Sequence, residues 1–138
     1  MKLPLAYESE GTQKLYELAA LWLQTLKNGG VIVIDELHAH LHPLLMEYLV
    51  SMFFNKKFNK KGAQLIFTTH ETSILSSKLL RRDQVWFCEK DRFGCSDLYP
   101  LTDFKIRKGT EDFRRSYLKG KFGALPILSA VHDKFENS

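Results

Sequence analysis

Two adjacent carboxylates, Asp35 and Glu36, close a run of four branched aliphatics, Val31 to Ile34, and an imidazole, His70, follows a second apolar run, Gln64 to Thr68. Acids at the end of a buried strand suit a magnesium-bound nucleotide. One supports the metal's water shell, and the other takes a proton from attacking water. A lone histidine after a strand is more often structural than catalytic, but its expected position beside the acid pair reverses that preference.

The elements that must position these groups follow from local signals. Gly29-Gly30 breaks the chain before Val31, and the continuous aliphatic run predicts a strand buried on both faces. Pro43 suits the first turn of a helix, and Leu44, Leu45, Tyr48, Leu49, Met52 and Phe53 give that helix a broad apolar face to about Asn55. Lys56, Lys57, Lys60 and Lys61 then read as a solvated polar connector ending at Gly62. The second strand, 64–68, completes a β–α–β order. Its two strands should therefore lie parallel, with Asp35, Glu36 and His70 along one edge, where ligands bind in open α/β sheets.

Upstream, Leu15, Leu18, Ala19, Trp22 and Leu26 recur at offsets of three and four, with Tyr16, Ala20 and Leu23 as a second stripe. This predicts a helix over about 12–27, buried on more than one side. Ser9 and Gly11 stand at its amino end, where free N–H groups and the positive dipole suit a phosphate. An ordinary N-cap explains the same serine.

Composition excludes several classes. At 138 residues, 44% hydrophobic and 26% charged, the chain suits one domain or part of one. No apolar run is long enough for a membrane span or signal peptide, and two cysteines, Cys88 and Cys95, make no disulfide framework. A cytoplasmic protein with no membrane partner is expected. The net charge of +4 is concentrated in 103–121, where Lys105, Arg107, Lys108, Arg114, Arg115, Lys119 and Lys121 outnumber Asp103, Glu111 and Asp112. Before that segment, 84–90 and 95–101 predict an antiparallel hairpin across Asp91-Arg92-Phe93-Gly94, and a short helix is expected over 110–118.

Taken in order, four motifs carry a family resemblance. Ser9-Glu10-Gly11-Thr12-Gln13 resembles a divergent ABC signature, Val31 to Glu36 a Walker B strand with its glutamate, Leu41-His42-Pro43 a D-loop, and Thr68-Thr69-His70 a switch histidine. The set is similar to the carboxyl-terminal lobe of an ABC-type, SMC-like ATPase head. It most resembles the RloA-like ATPases of abortive-infection and restriction-associated loci, a likeness that includes 103–126 and covers nearly the whole chain. The resemblance implies a three-layer, P-loop NTPase-like α/β lobe with a mostly parallel sheet and a carboxyl-terminal hairpin over 1–138, incomplete without its amino-terminal lobe. It further implies ATP and Mg2+ as ligands, Asp35 supporting the metal, Glu36 polarising water and His70 contacting the γ-phosphate. Ser9, Gly11, Gln13 and His42 would face ATP on the second head of a homodimer. Glu10 and Thr12 depart from the small residues usual in the signature, and His42 stands where transporters carry Asp.

No Gly-x-x-x-x-Gly-Lys-Ser/Thr sequence occurs in the chain. Backbone N–H groups and the lysine of such a loop supply most phosphate recognition. The chain is therefore expected to be inactive until an amino-terminal lobe is supplied. Three rival readings remain. Asp35-Glu36-Leu37-His38 matches a DExH helicase box, but Thr68-Thr69-His70 suits that class poorly. His38, His40 and His42 suggest zinc, although alternate spacing on a turn scatters them. Lys105, Arg107, Lys108, Arg114 and Arg115, interleaved with Phe104 and Phe113, suggest DNA; the competing expectation is a charged outer face whose aromatics pack inward.

Overall fold

A computed structural model describes residues 4–91, 93–105 and 112–126. The chain divides into two compact units, Met1–Leu79 and Leu80–Ser138.

The first unit runs α1 (Glu10–Asn28), β1 (Val31–Ile34), α2 (Pro43–Phe54) and β2 (Gln64–Phe67). Ser9 caps α1, and Gly29, left-handed at φ 80°, ends it by donating its N–H to the Thr25 carbonyl at 2.9 Å. Pro43 begins α2 as expected. β1 and β2 pair in parallel with Val31 opposite Gln64 and Ile34 opposite Phe67. The β–α–β order read from the sequence is thus present, with its strands as neighbours.

Burial departs from expectation. Ile32 and Ile34 are buried, whereas Val31 and Val33 are 60% and 71% exposed, so only one face of β1 is covered. An aliphatic run records what a strand is able to bury; coverage depends on which layers exist. Trp22 of α1 meets Phe53 of α2 edge to face, with ring centroids 5.2 Å apart, so the two helices pack on each other. A third layer is not seen among the described residues: Val31, Val33 and Ile66 leave the other face open. The second stripe of α1 is likewise exposed, at Tyr16, Ala20 and Leu23. On α2 the buried residues are Met46, Leu49, Val50 and Met52, while Leu44 and Tyr48 face outward.

The second unit contains the hairpin β3 (Trp86–Lys90) and β4 (Ser96–Pro100), antiparallel with Cys88 opposite Leu98, then α3 (Phe113–Leu118) capped by Asp112. Residues 110 and 111 of the expected 110–118 helix lie outside the described residues. Phe87, Leu101 and Phe122 are buried, and Tyr99, Phe104, Phe113 and Tyr117 pack around them. Aromatics of the basic segment therefore do turn inward. Cys88 and Cys95 are both free thiols.

Tyr99 links the hairpin to the segment after α3. Its hydroxyl lies 2.9 Å from the Phe122 carbonyl and 3.1 Å from a Glu89 carboxylate oxygen, either of which accepts its proton. Partial burial first, then the Glu89 carboxylate, push its pKa up to about 12. A folded value above the ordinary one of about 10 favours the neutral phenol in the native state. Its contribution to stability is complete below pH ~10 and is lost as pH rises towards ~12. With Trp22→Phe leaving Trp86 as sole indole, fluorescence-monitored denaturation should show this unit weakening over that window, and Tyr99→Phe should flatten the trend.

Candidate active site

Parallel register builds the site. Because Ile34 faces Phe67, the next residues on each strand, Asp35 and Thr68, come out side by side. The Thr68 N–H donates to the Ile34 carbonyl at 3.1 Å and the Leu37 N–H to the Thr68 carbonyl at 3.0 Å, so the chain leaving β1 stays tied to β2 beyond both strands. The Thr68 hydroxyl donates to Asp35 Oδ1 at 2.5 Å and accepts the Glu36 N–H at 2.8 Å. One side chain thus fixes both acids.

Glu36 then takes a left-handed backbone, φ 51°, and His40 another, φ 60°. Each costs a non-glycine residue about 1–2 kcal/mol, and such strain persists only where the surroundings impose it. The tight turn it produces brings Glu36 Oε1 to 3.4 Å from His70 Nε2. Both side chains are open to solvent, 55% and 82% exposed. A surface pair of this kind contributes roughly 0–1 kcal/mol. Backbone bonds, rather than mutual attraction, hold the two in register. His38 adds a neighbour: its Nδ1 lies 3.4 Å from the His70 N–H that it accepts, and the rings meet edge to face at 5.3 Å.

The amino end of α1 adjoins this turn. A Cβ on Gly11 would sit 2.7 Å from the His40 carbonyl oxygen, so glycine permits the approach. Glu10 Oε2 pairs with His40 Nδ1 at 2.7 Å. The polar partners of the other candidates are local. Ser9 accepts the Thr12 N–H at 3.2 Å, Gln13 donates to the Glu8 carbonyl at 2.8 Å, and His42 Nδ1 accepts the Leu44 N–H at 3.2 Å as the cap of α2. Asp35, Glu36 and His70 come together; Ser9, Gln13 and His42 have capping and tethering roles.

Sequence reasoning placed Thr68 in the switch motif and His38 and His40 in a zinc reading, but gave none of them its observed contact: Thr68 on the acid pair, His38 on His70, or His40 on Glu10. The register was the available signal for Thr68, since parallel neighbours of equal length put it level with Asp35. The histidine contacts depend on turn geometry that residue types do not announce.

Asp35 fits a magnesium role by its donor set. Thr68 binds Oδ1 of this exposed residue, which leaves its second oxygen for the water shell that this ion keeps when one carboxylate and substrate phosphates bind it. Among the described residues no three His, Cys, Asp or Glu side chains converge as a metal-holding group. Of the basic residues considered for DNA, Lys105, Arg114 and Arg115 are exposed, and Arg107 and Lys108 lie outside the described residues. No helix among the described residues is long and apolar enough to cross a membrane.

A parallel β–α–β unit with an acid pair at its carboxyl edge is a mixed α/β arrangement consistent with a P-loop-like fragment. Residues 2–76 match the family described as "AAA domain, putative AbiEii toxin, Type IV TA system", and the chain belongs to that family. The match supports an AAA-type, nucleotide-binding ATPase-like domain and ends within the first compact unit. No curated protein matches the chain, and no solved structure does.

Proposed function

We propose that this chain is the carboxyl-terminal catalytic lobe of an ABC-type, SMC-like ATPase head, nearest the RloA-like group, working in bacterial phage defence. The observation that carries the reading is the 3.4 Å approach of His70 Nε2 to Glu36 Oε1 across neighbouring parallel strand ends, beside an Asp35 anchored by Thr68. The words "putative AbiEii toxin, Type IV TA system" in the family's description support the biological setting.

In this reading Glu36 accepts a proton from the attacking water, and His70 lies within reach of both Glu36 and the γ-phosphate. Asp35 holds a magnesium water shell; the ion, when bound, neutralises charge on the phosphate oxygens. The amino end of α1, with Ser9, Gly11 and Gln13, faces ATP on a second head of a homodimer, and His42 shapes the turn beside it. The amino-terminal lobe supplies the phosphate cradle and the third layer, closing over Val31, Val33 and Ile66. Burying those three side chains, now more than half exposed, contributes at roughly 25 cal/mol per Å2 of apolar area removed from water.

Calorimetry tests the division of labour. The 138-residue chain alone should show no micromolar ATP binding, whereas its complex with a Walker A-bearing lobe should. Micromolar affinity in the isolated chain would contradict the reading.

A further inference from the structure

The amino-terminal edge of the same sheet carries a concavity, at the opposite ends of the strands from Asp35 and His70. The carboxyl end of α1, the end of α2 and the loop before β2 enclose a cleft of about 310 Å3. This lies at the lower end of the range for small-ligand sites, about 300–1,000 Å3. Leu23, Leu26, Met52 and Phe58 give it apolar surface, and Lys27, Lys57, Lys60 and Lys61 stand around it. No acid is among its lining residues. Among the described residues none of the four ammonium groups has an ion-pair partner.

Lys56, Lys57, Lys60 and Lys61 are exposed, as a solvated connector requires, but the loop that carries them is internally hydrogen-bonded. The Asn59 amide donates to the Phe53 and Ala63 carbonyls, both at 2.8 Å, and its oxygen accepts the Ala63 N–H at 2.6 Å. The Asn55 carbonyl accepts the N–H groups of Phe58 and Asn59, at 3.0 and 2.8 Å, and its side chain accepts that of Lys57 at 2.9 Å. A Cβ on Gly29 would meet the Lys61 carbonyl oxygen at 2.6 Å, so the loop is seated tightly on the end of α1. The dipole of α1 accounts for a cation at Lys27, in its last turn, but not for three more on a separate loop. Like charges held together on a rigid frame repel, and an anion relieves them. Phe58, 46% exposed among them, offers a ring face.

We infer that this cleft binds single-stranded nucleic acid without reading its sequence: one base stacks on Phe58 over the apolar floor, and the flanking phosphates lie on Lys27, Lys57, Lys60 and Lys61. Four point charges around a base-sized hollow match a strand bearing one charge per nucleotide better than a monoanion. Lysine is the only hydrogen-bonding side chain in the lining, so base edges go unread. The inference is independent of the nucleotide site.

Fluorescence anisotropy of the 138-residue chain with labelled oligo-dT, titrated across salt concentrations, tests it. Four phosphate contacts give a slope of log affinity against log salt near −3, from about −0.7 per contact. Combined Lys57→Ala, Lys60→Ala and Lys61→Ala should reduce the slope to about −0.7 and weaken binding at low salt. Phe58→Leu keeps the apolar packing but removes the ring face; it should lower affinity about 5- to 150-fold at unchanged slope. Arg114→Ala with Arg115→Ala should leave binding intact. Absence of oligo-dT binding, or binding indifferent to the lysine or Phe58 changes, overturns the inference. So does poly-glutamate competing as well as oligo-dT, which marks the cleft as a docking point for acidic protein segments.

Discussion

Under the proposed function, Glu36→Gln in the complex with a Walker A-bearing lobe should lower turnover by about 10²–10⁴-fold and leave ATP binding largely intact. The amide keeps the size and most of the hydrogen-bonding shape of the carboxylate but cannot accept the proton of an attacking water. Its backbone is held by the Thr68 hydroxyl and by the Leu37–Thr68 bond, neither of which involves the substituted atom, so the turn should survive. Steady-state phosphate release measured beside equilibrium nucleotide binding separates the two effects. Thr68→Val supplies a graded comparison, because it removes the anchor of Asp35 Oδ1 and the acceptor for the Glu36 N–H together while keeping side-chain volume. It should impair turnover and magnesium dependence in parallel. Unchanged turnover in Glu36→Gln would move the base to another residue and remove Glu36 from its role.

Much of the first unit was legible because its signals are local. Gly29-Gly30, Pro43 and the alternation of apolar runs with a helical period fixed the order of β1, α2 and β2, and a short crossover made the strands parallel neighbours. Placing His70 near Glu36 followed from that order alone. What stayed hidden depends on context beyond the segment. Val31 and Val33 read as buried because an aliphatic run is indifferent to whether a covering layer belongs to the same chain. Left-handed Glu36 and His40 carry no glycine or asparagine to announce them, since the ties to Thr68 and α1 impose those conformations. Lysines dominate the composition of residues 55–63, yet Asn55 and Asn59 organise them. The boundary after Leu79 passed unnoticed because the apolar pair Leu79-Leu80 straddles it, not a Gly- or Pro-rich linker.

The largest expected stability effect lies far from the acids. Trp22→Ala should cost about 3–5 kcal/mol, the usual range for emptying a large aromatic from a core. Trp22 is 1% exposed, and its ring edge meets Phe53 at an interplanar angle of 84°, so it is the joint between α1 and α2. At the usual stability per residue, a unit of about this length has roughly 4–12 kcal/mol to lose. The substitution therefore removes between a quarter and all of it. Trp22→Phe should recover most of the loss: a ring still faces Phe53, and the indole N–H has no acceptor among the described residues whose bond would be broken. Urea denaturation followed by circular dichroism at 222 nm reads this unit, because it holds the two longest helices. The consequence reaches the site through the sheet. Glu36 and His70 are too exposed to hold each other, so their spacing is only as durable as the helices behind β1 and β2. Where the Trp22→Ala midpoint falls, the Glu36–His70 geometry must be lost in the same transition. An unfolding free energy within about 0.5 kcal/mol of the parent would show that the helix pair does not back the strands.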